Sequence, residues 1–180
     1  MDLHLALLKL ATAQLDPATL PTTGTAPNGT TLPNPAPAEK ITAVLRRILQ
    51  SLRVASRWVT ASTEYLYRSA NPDKTPAALI RTMGEFWSSY AMFTTALDAA
   101  FGGDAGETAT LGTVLLEEDV ELEGFTPLKG SLKQVRAAGV DNAGTVLLNQ
   151  VHPNDEYLLR IRDILEDAEA LVKSEVCMFY

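Results

Sequence analysis

The sequence holds a single cysteine, Cys177, among 180 residues. A lone thiol excludes an internal disulfide and a cysteine-built zinc site, and it fits a reducing compartment. Long apolar runs are also missing: none approaches the roughly 20 residues that a membrane span requires. Histidine is scarce, with His4 and His152 alone. Neither stands at a motif spacing from a serine, cysteine or carboxylate that would make it a catalytic base. His152 precedes Pro153 at a helix start, where a capping or turn role is ordinary. Positive charge is short too, since no Lys or Arg occurs between Arg81 and Lys129 and the net charge is −7. That balance disfavours nucleic-acid binding by the whole surface and leaves only a local basic stripe able to do it.

What is present is a chain with 46% hydrophobic and 21% charged residues, enough to bury one modest core. Residues 1–15 read as a short helix with Leu3, Leu7, Leu10 and Gln14 on one side. A helix of that length is marginal alone in water and must dock on something. Asp2 and Lys9 argue against reading it as a secretory signal. Six prolines (Pro17, Pro21, Pro27, Pro33, Pro35, Pro37) fall in residues 16–37 among Thr, Asn, Gly and Ala. Such a segment cannot bury enough apolar surface to offset its conformational entropy, so it is expected as a linker.

The domain proper is expected over residues 38–175, with an apolar tail at 176–180. From Ala38 to Arg68 the pattern is helical and free of Gly and Pro. Ile41, Leu45, Ile48, Leu52, Ala55, Val59, Ser62 and Leu66 form one stripe. Arg46, Arg53 and Arg57 fall on the opposite face, with Trp58, Tyr65 and Tyr67 on its flanks and Arg68 close by. Asn71-Pro72-Asp73 is a turn. Thr75 and Pro76 then open a second long helix, with Met83, Trp87, Tyr90, Thr94, Leu97 and Phe101 inward and Gly102-Gly103 as its stop. Two such helices joined by a tight turn make an antiparallel αα-hairpin, the unit of helical solenoids, with Trp58 and Trp87 as anchors between them. Residues 103–112 read as a loop and 130–150 stay ambiguous. A last helix runs from Pro153-Asn154 to Lys173. Tyr157, Leu158, Ile161, Leu165, Ala168 and Val172 point inward there, with Arg160, Arg162, Asp163, Glu166, Asp167 and Glu169 toward water.

Between these helices lies Leu115–Leu128, LLEEDVELEGFTPL. It sets Glu117, Glu118, Asp119, Glu121 and Glu123 within one short run, turns on Gly124, and offers Phe125, Pro127 and Leu128 as apolar anchors. A loop of this kind is expected to close over the hairpin, with Phe125 and Leu128 supplying roughly 1.5–3 kcal/mol each if fully buried. The acids lack the converging spacing that a hard cation needs, so no metal site is assigned. Pairing with the arginine stripe, or plain solvation, is the simpler reading. Exposed pairs of that sort contribute only about 0–1 kcal/mol each.

The order L-E-E-D-x-x-L-x-G-F-x-P-L, here Leu116, Glu117, Glu118, Asp119, Leu122, Gly124, Phe125, Pro127 and Leu128, resembles the segment after the helical repeats in the Ever-Shorter-Telomeres/SMG family. That family contains nonsense-mediated mRNA decay adaptors and a telomerase-associated subunit. The likeness extends more loosely over residues 38–175. It implies the C-terminal helical-repeat portion of such a protein: an all-α fold of solenoid type with an acidic capping loop. It also implies protein partners from mRNA decay or telomerase, in nucleus and cytoplasm. The phosphopeptide-binding part and the nuclease domain of some members find no match.

The arginine face keeps three readings: a solvated surface, an intramolecular partner for the acids, or a contact for RNA, single-stranded DNA or an acidic protein. No catalytic constellation, cofactor motif or membrane span emerges. The sequence therefore reads as a non-catalytic scaffold, with a nucleic-acid-binding module using Arg46, Arg53 and Arg57 as the alternative.

Overall fold

The computed structural model describes residues 2–16, 36–69, 75–107, 114–128 and 152–174. These fold as six α-helices: α1 (Asp2–Gln14), α2 (Ala43–Ala61), α3 (Thr63–Ser69), α4 (Ala77–Glu107), α5 (Glu117–Glu121) and α6 (Pro153–Lys173). Short 3-10 turns occupy Pro37–Lys40 and Thr126–Leu128. Among the described residues there is no strand, and no helix is long and apolar enough to cross a membrane. Most of the expected linker, the turn at 71–73, the ambiguous 130–150 and the tail lie outside the described residues.

The all-α class stands, but the two long helices do not pair directly as a hairpin. Around the bundle the order is α2, α6, α4, α1, so α2 and α4 face each other across a diagonal. Their side chains meet there through Ser56 Oγ and Tyr90 Oη, 2.7 Å apart. The reason lies in the helices at either end of the chain. α1 and the turn that follows it bury Leu8, Ala11 and Leu15, one position round from the face expected, and leave Leu3 and Leu10 exposed. α6 buries Leu158, Leu159, Ile161 and Ile164, which no single helical stripe contains. Burial spread over so much of its circumference lets α6 pack against α2 and α4 at once. Trp58 and Trp87 accordingly flank the core, partly buried, rather than sitting between α2 and α4.

Three local departures have identifiable causes. The long N-terminal helix is broken at Thr42, whose Oγ1 caps α2 by accepting from Leu45 N at 3.2 Å and itself donates to Gln14 Oε1 at 3.0 Å. It breaks again at Ser62, where Thr63 Oγ1 donates to the Val59 and Thr60 carbonyls. Hydroxyl side chains bonding back to the preceding turn bend helices. Gly102 and Gly103 fail to end α4, which continues to Glu107. Each helical glycine costs roughly 1 kcal/mol relative to alanine. Burial of Phe101 and Ala105 and the Asp104–Lys40 bridge at 3.4 Å offset that cost.

Candidate functional site

The acidic segment is anchored by charge rather than by an aromatic plug. Its centre is α5, where Leu116 N donates to Asp119 Oδ2 at 3.0 Å and so satisfies a helix-start group. Two of its five acids, Glu118 and Asp119, are almost wholly buried, while Glu117, Glu121 and Glu123 remain exposed. Gly124 takes the left-handed conformation at φ +82, which a side chain would strain. Leu128 is buried beneath the following turn, but Phe125 is 51% exposed. The expectation that Phe125 pins the loop is therefore corrected: the chain reverses at Gly124 and carries the ring to the surface.

Arg53 is the hub. It is fully buried, so of the three readings of the arginine face it fits that of an internal partner for the acids and not that of a solvated surface. Its Nη2 donates to Asp119 Oδ1 at 2.8 Å and Oδ2 at 3.0 Å, and its Nε to Asp163 Oδ2 at 2.8 Å. Its Nη1 lies 3.1 Å from Glu118 Oε1. Arg160 clamps the same Glu118 from α6 in a two-pronged pair, with both hydrogen bonds 3.0 Å. Arg57 reaches Asp163 at 3.3 Å and Asp167 at 2.6 Å. Arg162 joins from the rim, 3.7 Å from Asp163. The network thus ties α2, α5 and α6 together, with Val114, Leu116 and Leu159 forming an apolar patch beside it.

Burial alone would lower the pKa of Arg53, but Asp163, Asp119 and Glu118 outweigh it and hold the guanidinium above its usual value. Arg160 is raised the same way against burial, chiefly by Glu118. For Glu118, burial pushes upward, and Arg160, a backbone hydrogen bond and Arg53 together outweigh it, leaving its carboxyl below the ordinary range. Asp167 behaves oppositely: burial dominates over Arg57 and moves it up to about 6. Its Oδ2 is buried without a hydrogen-bond partner among the described residues, which explains why the charged form is poorly supported.

The remaining member of the expected stripe, Arg46, is half-buried and structural in its contacts. It donates to the Ile41 and Ala38 carbonyls at 2.9 and 2.8 Å, and its guanidinium lies 5.4 Å from the Tyr157 ring centre. Arg160, Asp163 and Asp167, expected toward water, are instead buried. Periodicity missed them because α6 is covered on more than one side. The one usable signal was that the acid run needed cations from elsewhere in the chain. His152 caps α6, its Nδ1 accepting from Asn154 N at 3.2 Å.

Beside the network, α1, α2 and the α5 segment enclose a groove of about 520 Å³. Val54, Trp58, Leu122, Phe125 and Leu128 line it, with His4 at one side.

A profile of the Est1 DNA/RNA binding domain matches residues 4–132, well over half of the chain. The chain belongs to that family. No curated protein and no solved structure gives a match. The Est1-type match begins earlier than the resemblance read from the sequence, taking in α1, and stops before α6. Its description is of a binding domain and names no reaction. The buried ion network therefore joins α2 and α5, inside the matched Est1 region, to α6, outside it.

Proposed function

We propose that this chain is a non-catalytic helical scaffold of an Est1-type adaptor, acting through protein contacts in mRNA decay or telomere maintenance, in nucleus and cytoplasm. The observation that carries the reading is the burial of Arg53 at the centre of a paired network, with Arg57 and Arg160 engaged beside it. Arg46, Arg53, Arg57, Arg160 and Arg162 all engage internal partners among the described residues. Among the described residues the exposed charged side chains are ten acids and four bases: Lys9, Arg47, Arg81 and Lys173. Lys173 is bridged to Glu169 at 3.0 Å. A surface of that sign repels phosphate.

The family's description as a DNA/RNA binding domain favours a second reading, direct contact with RNA or single-stranded DNA. Filter binding of labelled RNA and single-stranded DNA oligonucleotides at two salt concentrations decides between them. The scaffold reading expects nothing tighter than the non-specific range of about 10⁻⁴–10⁻⁶ M. Sub-micromolar binding with a steep salt slope would overturn it. Co-purification with decay or telomerase subunits in a tagged pull-down is the positive test.

A further inference from the structure

The groove between α2 and the α5 segment has the chemistry of a peptide-docking site. Its wall residues Val54, Trp58, Leu122, Phe125 and Leu128 are apolar, and among the described residues no lysine or arginine lines it. Glu121 stands in the wall, and Glu117 and Glu123 project from the same turn, all three exposed. The volume, about 520 Å³, falls within the range of pockets that take a small ligand. The acidic wall is also held in place. Glu118 is a lining residue whose carboxylate is clamped by Arg160 from behind, and Asp119 next to it is clamped by Arg53. A preformed groove avoids part of the ordering cost of association.

We infer that this groove docks a basic amphipathic segment of a partner protein, placing an apolar anchor against Trp58 and Phe125 and lysines or arginines toward Glu117, Glu121 and Glu123. Charge complementarity selects this occupant. Nucleic acid would bring phosphates against three exposed carboxylates. A second copy of this chain offers only four exposed bases among its described residues, one of them already bridged. An apolar contact with an acidic rim instead matches a helix carrying anchors on one face and positive charge beside them. The inference rests on the protein-scaffold reading and names its partner class.

The test is a fluorescence-anisotropy titration of the full chain with a labelled amphipathic peptide of leucine and lysine at helical spacing. Two controls accompany it: the same peptide with glutamate for lysine, and a labelled oligouridine. Binding of the leucine–lysine peptide is expected, with at least about tenfold weakening by Phe125→Ser, as for a central anchor. Similar weakening is expected for the triple variant Glu117→Gln, Glu121→Gln, Glu123→Gln. Phe125 is half-exposed and the three glutamates are exposed, so both variants should fold, and circular dichroism checks this. Equal binding of the glutamate peptide, or binding indifferent to Phe125→Ser, would overturn the proposal. So would oligouridine binding lost with Phe125→Ser, or a dimer of the chain alone that this substitution dissociates. Absence of both peptide and oligouridine binding defeats the groove and leaves the scaffold reading intact. Oligouridine binding that ignores the groove variants defeats the scaffold reading, while the peptide arm still judges the groove.

Discussion

Arg53 Nε donates to Asp163 Oδ2 at 2.8 Å, and neither side chain exposes any surface to solvent. Taking two charges out of water is expensive, and Asp119 and Glu118 offset it by adding counter-charge around the arginine. Removing the cation takes from Asp119 its arginine and leaves Glu118 to Arg160 and Asp163 to Arg57. Arg53→Met should cost about 3–5 kcal/mol in urea unfolding. Arg53→Lys should recover only part of that, because an ammonium cannot reproduce the planar fork.

The network also sets a pH dependence. Asp167 ordinarily titrates at 3.8 and is raised to about 6 when folded. Between those values the folded chain holds a proton that the unfolded chain has released, so stability falls as pH rises through that window. The limit is about 3 kcal/mol. Glu118 has the opposite sign: its folded pKa lies below 4.5, so its contribution is present above that value and lost as pH falls through the folded value. Asp167→Asn should flatten the decline between pH 3.8 and about 6 and leave the acid-side loss in place, as read from denaturation midpoints against pH.

Those charges show where the sequence could be read and where it could not. The stripe of α4 was legible, since Met83, Tyr90, Thr94, Leu97 and Phe101 are all buried on one helix. The arginines of α2 were visible as a group, but their burial was not. Whether a charged residue faces water depends on what a distant segment brings to it, and Asp163 is 110 residues away. The same limit hid the polar side of α6, where Arg160, Asp163 and Asp167 look solvent-facing until α2 and α5 cover them. In the LEED run the spacing marked a structured segment and Leu128 as a buried anchor, yet it could not say that Phe125 would be left outside. Gly124 decides that through a backbone angle.

Two truncations test the correction at that turn. Phe125→Ala should change stability by less than about 1 kcal/mol, as for a surface position. Leu128→Ala, at 2% exposure, should cost about 2–5 kcal/mol. Equal losses in thermal or chemical unfolding would restore the aromatic plug.

The clamp from α6 can be isolated from the core. Arg160→Met should leave the burial of Phe93 and Leu97 untouched and release Glu118. Hydrogen exchange is the readout: amides of Glu117–Glu121 should exchange at least about tenfold faster while those of α4 keep their protection.

Gly103 lies inside α4 with nothing near the position a Cβ would occupy. Gly103→Ala should therefore stabilise the chain by about 0.4–1 kcal/mol, through a less mobile unfolded state and better helix propensity. A helix that truly stopped at these glycines would show no gain in melting temperature.

The hub arginine draws its counter-charges from Asp119, 66 residues downstream, and Asp163, 110 downstream. During synthesis α2 emerges long before either arrives, so the Arg53 guanidinium must stay hydrated until α6 has emerged. Loop closure over such separations is a late and entropically costly step. Assembly of the bundle thereby waits for α6: a nascent chain interrupted before that helix keeps a wet cation where its interior should be and stays open to chaperones and proteases.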